Sequence, residues 1–538
     1  MKPQHSREHV AQAVTDFLNL DAPSSLRRFS HERGIPPSTL HYWLTRYKEI
    51  PSAPETKAFF ESPAGLAFLH LMLISLHVCF TKVGAASVRN VSSFLIQTGL
   101  DHFVAASVGS QQELSKRIDQ QIVCFGQEQT RRLAESMPKK LICVAEDETF
   151  HPDKMCLVVI EPVSNFILLE TYADKRDSET WTRLLAEAVA HLNVEVVWQT
   201  SDEARGLLHH AKFGLEAQHA PDLFHIQQEI GKGASRALNL SLDQAQKRHQ
   251  ELMNKAPVVK DVSGGKLRME PNHQCQRQQI QAGMALAQAY ANRARVKQAR
   301  RQISQAYHPY DLLSGKARDG DAVTSLLQDA FKAIKTATCQ LGECCHKRIE
   351  KARRLIPEIS ATVTHFFILI NVIVDQAFAC DQLRKQLKEA LIPGFYLQAV
   401  AEKEKDPKRR ELISRRASTL LLSFHQRAGP FAKLSDDQHA HLKEVAQECA
   451  GIYQRSSSCV EGRNAHLARY HRGFHRLGDE RLQALTVIHN YFVRRSDNTT
   501  AAERFFKAEH DDLLDWLVKH LPLPARPRNR KTKTKPAA

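Results

Sequence analysis

Three acidic side chains stand where predicted elements end or begin, and their chemistry suits divalent cations. Asp147 follows an apolar run at residues 141–145, Asp202 follows a second run at 194–198, and Glu461 lies where a helix can begin. Carboxylate oxygens are the ligands that Mg²⁺ and Mn²⁺ prefer. Two such ions about 4 Å apart activate a water or a 3′-hydroxyl and stabilise the leaving oxygen in phosphodiester chemistry. The three residues are therefore candidate metal ligands and catalytic residues, with Mg²⁺ or Mn²⁺ as the cofactor.

The predicted elements around Asp147 and Asp202 explain how the two carboxylates meet. Apolar runs predict strands, and an amphipathic run predicts a helix. In chain order they are strands at 141–145, 155–160 and 166–171, a helix at 178–192, a strand at 194–198, a helix from 203 and a short strand or turn at 219–222. In this βββαβαβ order the first and fourth strands are neighbours, so Asp147 at the end of the first and Asp202 after the fourth reach one sheet edge.

The helix that begins near Ser458 has two different faces. At helical spacing Glu461, Asn464 and Arg472 share a polar face with two alanines, which suits contact with metal and DNA. Arg463 falls on a mostly apolar face with Val460, Leu467, Tyr470 and Phe474, which can pack on the sheet. We expect Asn464 to be accessory to the site, and Arg463 and Arg472 to bind DNA.

The charge of the chain indicates a polyanionic partner. Lys and Arg number 75 against 59 Asp and Glu, a formal net charge of +16, and Lys and Arg release counterions from DNA phosphates. No acidic residue occurs between Glu270 and Asp311, so this stretch is either a DNA-facing surface or a solvated helix face. We expect double-stranded DNA as partner, a homo-oligomer (dimer or higher), no membrane association, and a cytoplasmic, nucleoid-associated bacterial protein.

Residues 1–50 have the pattern of a helix-turn-helix unit. Gly34 separates two short helices, and the prolines before Ser38 suit the first turn of the second. Its outward side would present Ser38, Thr39, Tyr42 and Arg46 to a major groove.

Changes in composition and hydrophobic pattern divide residues 51–538 into further regions. Predicted regions are a helical domain at 51–138, a mixed-sheet core at 139–229, an all-helical insertion at 230–450, the final helices of the core at 451–520, and a basic disordered tail at 521–538. The expected fold class is a mostly helical α+β protein.

The motifs resemble those of the DDE transposases of bacterial insertion sequences, in the ribonuclease-H-like superfamily that includes the Mutator-like enzymes. The similar segments surround Glu146-Asp147-Glu148, Thr200-Ser201-Asp202-Glu203, and Val460-Glu461-Gly462-Arg463-Asn464. The resemblance implies a ribonuclease-H-like core interrupted by a helical insertion. It implies that Asp147, Asp202 and Glu461 bind the metal, and that Asp222 and His225 match the family's Asp/Cys-x-x-His element. The expected activity is cleavage of element ends and their joining to target DNA.

Several alternatives stay open at the level of sequence. Asp222 also ends a predicted strand and competes with Asp202 as second carboxylate, and His225 is either a site residue or a core histidine. The chain is a transposase, an inactive transposase-derived DNA-binding protein, or a nuclease or resolvase without strand transfer. A helical scaffold protein is a third alternative to a transposase.

Overall fold

A five-stranded mixed sheet lies at the centre of a mostly helical protein. The computed structural model describes residues 5–20, 25–151, 154–255, 259–260, 268–269, 273–473, 477–524 and 526. The sheet region contains β1 (Lys140–His151), β2 (Lys154–Glu161), β3 (Phe166–Ala173), α1 (Ser178–Val189), β4 (Val194–Ser201), α2 (Arg205–His209) and β5 (Gln218–Pro221). The strand order is β3-β2-β1-β4-β5, with β1 antiparallel to β2 and parallel to β4. The predicted order of elements is confirmed.

Helices precede and follow this sheet. On the N-terminal side are αA (Arg7–Leu18), αB (Leu26–Glu32), αC (Pro37–Lys48), αD (Pro54–Phe60), αE (Pro63–Leu76), αF (Val88–Gln97) and αG (Val108–Glu135). After β5 come α3 (Leu223–Ile230), α4 (Arg236–Met253), α5 (His273–Ala306), α6 (Gly320–Ala337), α7 (Glu343–Arg353), α8 (Ile356–Ala377), α9 (Asp381–Gln386), α10 (Ile392–Lys403), α11 (Pro407–His425) and α12 (Asp436–Ile452). The chain ends in α13 (Ser458–Gly473), α14 (Asp479–Tyr491), α15 (Ala501–Phe506) and α16 (Leu513–His520).

Each face of the sheet packs on a different set of helices, because successive strand residues point to opposite faces. Ile142 and Val144 of β1 share a core with αG and α1. Cys143 faces the helical bundle that follows β5, and Ala145 faces α13. The side of β1 that carries its odd-numbered residues is therefore the side on which α13 lies.

The stretch at 230–450 is nearly, but not wholly, helical. A two-stranded antiparallel pair, β6 (Val259–Lys260) and β7 (Arg268–Met269), precedes α5. The prediction of an all-helical insertion is wrong at this point. Such short strands carry no periodic signal that the sequence could reveal. Helix α8 is a core helix of this stretch, and its Phe366 is fully buried.

The three N-terminal helices form their own small core. Phe29, Ile35, Leu40, Trp43 and Leu44 are buried together within it. Gly34 has a left-handed conformation (φ +64°) directly after αB, which suits glycine because it lacks a Cβ. The predicted break between two short helices is confirmed, with αA as a further helix packed on them.

The end of the described chain packs against this N-terminal region. Arg7 donates to the carbonyl oxygen of Pro524 (3.0 Å) and forms an ion pair with the buried Glu61 (3.4 Å), which also contacts Arg526. Leu521 is buried. The packed chain therefore extends past residue 520, whereas residues 527–538 of the expected basic tail lie outside the described residues.

Two helical stretches, Pro63–Val83 and Glu343–Ala377, are long and apolar enough to cross a membrane by length and composition. In the fold both supply core side chains, since Leu69 and Phe366 are each fully buried. This burial agrees with a soluble protein.

A buried ion pair fixes α13 across the sheet. Arg463 donates two hydrogen bonds to Glu170 of β3, at 2.8 and 2.6 Å, and Thr486 of α14 donates a third at 2.6 Å. Burial alone raises the pKa of Glu170, but Arg463 and Thr486 outweigh it, so the pKa is lowered overall. The expectation that Arg463 binds DNA is wrong, because its side chain is 2% exposed and satisfied inside the protein.

We expect Arg463→Ala or Glu170→Gln to destabilise the fold by about 3–5 kcal/mol, because each leaves a buried group without its partner. Chemical denaturation would measure this. The exposed Arg472 on the same helix is the control, and Arg472→Ala should change stability by less than about 0.5 kcal/mol. The pair Arg463→Met with Glu170→Leu should recover much of the loss. Equal, small effects at residues 463 and 472 would contradict the anchoring role.

Candidate active site

The first two carboxylates leave the sheet in matching register. The parallel pairing of β1 with β4 sets Ala145 opposite Thr200, and Asp147 and Asp202 each follow two residues later. Since side chains alternate along a strand, both acids continue the face that Ala145 and Thr200 occupy. β1 was expected to end near Asp147, but it runs on to His151 because its outer half pairs with β2. Asp147 therefore lies within a strand, just beyond the end of its pairing with β4.

The third carboxylate comes from the first turn of α13. Val460, Leu467 and Tyr470 are fully buried and pack against the face of the sheet that contains Ala145. Glu461, next to Val460, is half-buried on the neighbouring side of the helix. An acidic residue in a first helical turn is favoured by the partial positive charge of the helix N-terminus. The packed face of α13 thus sets the position of Glu461 relative to β1.

The pKa of Asp147 is raised by burial and, in part, by the negative charges of the other two acids. Its pKa is raised to about 7, first by burial and then by the negative charges of Glu461 and Asp202. One oxygen of Asp147 accepts a hydrogen bond from the backbone N–H of Glu148 (2.9 Å), which lowers the pKa only in part. The three acids that the sequence singles out therefore lie within one electrostatic neighbourhood.

Further acidic side chains surround this neighbourhood. Burial raises the pKa of Glu148, and Asp202 raises it further, while a hydrogen bond from Arg176 lowers it. The pKa of Glu203 is also raised, chiefly by burial. Sequence reasoning did not assign roles to Glu148, Arg176 or Glu203, although the acidic run 146–148 was visible.

A divalent cation fits the donors present. Within the described residues, no three His, Cys, Asp or Glu side chains are drawn together tightly enough to form a metal-binding group. Carboxylates repel one another, which favours their separation where no cation lies between them. Glu148 Oε2, Glu203 Oε1 and Asn464 Oδ1 are nevertheless among the buried oxygens of the described residues that lack a hydrogen-bond partner. Unsatisfied oxygens beside mutually repelling carboxylates are suited to Mg²⁺ or Mn²⁺ and its bound waters.

Asp222 has a different environment from Asp202. It caps α3, with Oδ1 accepting from the backbone N–H of Phe224 (2.7 Å) and Oδ2 accepting from Ser457 Oγ (2.5 Å). Asp222 is completely buried. Asp202 is half-buried, and one of its oxygens accepts from Ala204 N (3.0 Å). Both oxygens of Asp222 are therefore engaged in structural hydrogen bonds, whereas Asp202 is more exposed and has one oxygen in such a bond.

His225 lies close to two acidic side chains, Asp222 and Glu203. Its side chain is 27% exposed, and its Nε2 is 3.8 Å from Asp222 Oδ2. Its charge would lower the pKa of the nearby Glu203. His225 is thus at the margin of the acidic neighbourhood and not in the hydrophobic core.

A second polar cluster lies on the opposite face of the sheet. The buried Glu146 accepts a hydrogen bond from Gln199, and its other oxygen is 3.5 Å from Nε2 of the buried His210. His210 in turn contacts Thr182 Oγ1 (2.8 Å). Strand alternation alone indicates that Glu146 and Asp147 face apart, so this signal was available in the sequence.

The residues expected to bind DNA outside the acidic site are on the surface of αC and α13. Ser38 and Tyr42 are exposed, the latter by 60%, whereas Thr39 and Arg46 are half-buried. Arg472 is exposed near the end of α13. The pKa of Arg526 is lowered to about 10, first by burial and then by Arg7 and Arg46, so the C-terminal segment reaches the vicinity of αC.

Without divalent cations, Asp147→Asn should stabilise the protein at pH 8. The folded pKa of Asp147, about 7, exceeds its ordinary value of 3.8. The stability that its protonated form supplies is therefore complete below about pH 4 and is lost as the pH rises through 7. We expect a gain of about 1–2 kcal/mol at pH 8, reduced from the full value of the shift because solvent reaches the carboxyl.

Thermal unfolding in EDTA at pH 5 and pH 8 measures this difference, with the exposed Asp174→Asn as control. Added Mg²⁺ should stabilise the wild-type protein more than the Asp147→Asn variant. A difference that is the same at both pH values would show that Asp147 is not held among like charges.

Comparison with known proteins adds one similarity. A family model described as "Family of unknown function (DUF6399)" matches residues 387–533, less than half of the chain. The matched span begins just before α10 and includes Glu461 and all of α13–α16. No curated protein matches the chain.

Proposed function

We propose that the protein is a DNA transposase that cuts element ends and joins them to target DNA. Asp147, Asp202 and Glu461 would hold two Mg²⁺ or Mn²⁺ ions. The observation that carries the proposal is the position of the three acids in the fold. The parallel register of β1 and β4 sets Asp147 and Asp202 at one sheet edge, and Glu461 lies in the first turn of α13, which packs on the same face. The raised pKa of Asp147 agrees with this arrangement. Acids separated so widely in sequence are brought together at one sheet edge, at a cost in stability that a metal site would explain.

The arrangement of the chain supports this function. The strand order, with three antiparallel strands followed by two parallel ones, is the order expected of a ribonuclease-H-like core and supports the proposal. A long helical stretch separates β5 from α13, as in the transposases that the motifs resemble. The N-terminal helices αA–αC would be a helix-turn-helix unit for recognising the element ends.

Each residue of the site has a task in this reaction. When bound, the two ions supply an activated water or 3′-hydroxyl and offset charge on the leaving oxygen. Asp147 and Asp202 would hold the ions from the sheet, and Glu461 would hold them from α13. Arg176 orients Glu148 through its hydrogen bond, and Asn464 offers an unpaired oxygen to a bound water. The excess of Lys and Arg, a net charge of +16, would attract the DNA phosphates.

We expect Asp147→Asn, Asp202→Asn and Glu461→Gln each to abolish cleavage while DNA binding persists, because each keeps the side-chain shape and removes a ligand charge. The loss should exceed the roughly 10–100-fold cost of removing an outer partner of a metal ligand. The assay is cleavage and strand transfer on a plasmid that carries the DNA flanking the coding region, with Mg²⁺, Mn²⁺, Ca²⁺ or Zn²⁺ added after chelation.

Asp222→Asn is the matched control for Asp202→Asn. It should retain cleavage and change stability by less than about 1 kcal/mol, because asparagine caps a helix about as well as aspartate. Activity that survives EDTA, or full activity with Zn²⁺ alone, would refute the metal site proposed here. Hydrolysis without any joined product would instead identify a nuclease of the same fold.

Tyr42→Ala should weaken binding to the element end by about 1–3 kcal/mol, the usual contribution of a base contact. The physical reason is the exposure of Tyr42 on αC, opposite the buried Leu40 and Trp43. Gel-shift titration against end and unrelated duplexes measures it, with the exposed Phe59→Ala on αD as control. Equal weakening on both duplexes would remove αC from sequence recognition.

A further inference from the structure

A groove between α3, α4 and α5 is lined by a row of positively charged side chains. It has a volume of about 500 Å³, and Leu238 and Val296 form part of its lining. Arg293, Lys297 and Arg301 line it from α5 and are exposed. Their spacing of four residues puts them on one side of that helix. We call the cavity lined by these residues, with Arg300, the basic groove.

The charge of the basic groove is not balanced within the described protein. None of its lining residues is acidic, and α5 contains no Asp or Glu. No ion pair within the described residues involves Arg293, Lys297, Arg300 or Arg301. Like charges held in one groove repel, so a bound anion would relieve a cost that the fold otherwise retains.

Hydrogen bonds connect the basic groove to the elements of the candidate active site. Arg300 Nε donates to Gln227 of α3 (2.8 Å), and Gln227 donates back to the carbonyl oxygen of Arg300 (2.9 Å). Asp222, the N-cap of α3, follows β5, which pairs with β4. Arg455 donates to the carbonyl oxygen of Ser304 of α5 (2.8 Å), shortly before α13 begins. The groove is therefore attached to the segments on both sides of the acidic site.

The dimensions of the row suit a nucleic acid strand better than a single phosphate. The eight residue-to-residue steps from Arg293 to Arg301 span about 12 Å of helix at 1.5 Å per step. Phosphates of one DNA strand recur at about 3.4 Å along the duplex axis, so three or four of them pass such a distance. A lone anion would engage only part of the row.

We propose that the basic groove binds the phosphate backbone of duplex DNA next to the position where the strand is cut. This inference rests on the proposed function, since it assigns the groove to the same substrate. Arg300 keeps α5 and α3 together through Gln227, while Arg293, Lys297 and Arg301 contact the phosphates.

The test compares two triple variants in the full chain. Arg293→Ala, Lys297→Ala and Arg301→Ala together should reduce the salt dependence of DNA binding, a log–log slope, by about 2–3, because each phosphate contact contributes about 0.9. The control is Lys347→Ala, Arg353→Ala and Arg415→Ala, which removes the same charge from residues paired with glutamates on their own helices. Its slope should stay within about 0.5 of wild type.

Hydroxyl-radical footprinting locates the contact. The groove variant should lose protection of the backbone sugars beside the cut and keep protection elsewhere. Equal slope changes in both triple variants, or protection lost only far from the cut, would overturn the assignment. Tighter binding of an RNA duplex of the same sequence, abolished by the groove variant, would reassign the groove to RNA.

These binding measurements are independent of catalysis. If the wild-type protein neither cuts nor joins DNA yet the groove variant shows the reduced salt slope, the proposed function fails and the groove stands as a surface that binds DNA phosphates. If cleavage occurs and both triple variants bind like wild type, the groove assignment fails alone.

Discussion

The ion pair between Arg463 and Glu170 determines where α13 lies, and the position of α13 determines where Glu461 lies. Two charges removed from water are stable together only when their geometry satisfies both, and here Glu170 accepts from both Arg463 and Thr486. A hydrophobic contact alone would allow α13 to slide along the sheet. The paired charges fix it in one register, next to the strand that carries Asp147.

The acidic neighbourhood opposes the stability that this packing supplies. Burial and like charge raise the pKa of Asp147 to about 7, so its ionised form is unfavourable in the fold. Rigid surroundings maintain the strain: β1 is held by β2 and β4 on both sides, and α13 is packed through fully buried Val460 and Leu467.

The helical stretch between β5 and α13 belongs structurally to the sheet. Trp198 of β4 and Ala220 of β5 share one hydrophobic core with helices up to α12. Ser457 donates a hydrogen bond to Asp222, and the carbonyl oxygen of Arg455 accepts one from Leu223 N. The start and the end of the helical stretch are therefore hydrogen-bonded to each other. This joining returns the chain to the sheet edge and gives the basic groove a fixed relation to the acids.

The sequence by itself predicted the strand order, the helix carrying Glu461, and the candidate acids Asp147, Asp202 and Glu461, with Asp222 as the alternative to Asp202. Alternation, helical spacing and elements that end in acids are local patterns. Only the tertiary structure distinguished Asp222, a buried helix cap, from Asp202, and removed Arg463 from the DNA-binding set. Both outcomes depend on partners far away in sequence: Ser457 for Asp222, and Glu170 for Arg463. Burial and pairing of a charged side chain are properties of contacts between distant segments, and no local pattern encodes them.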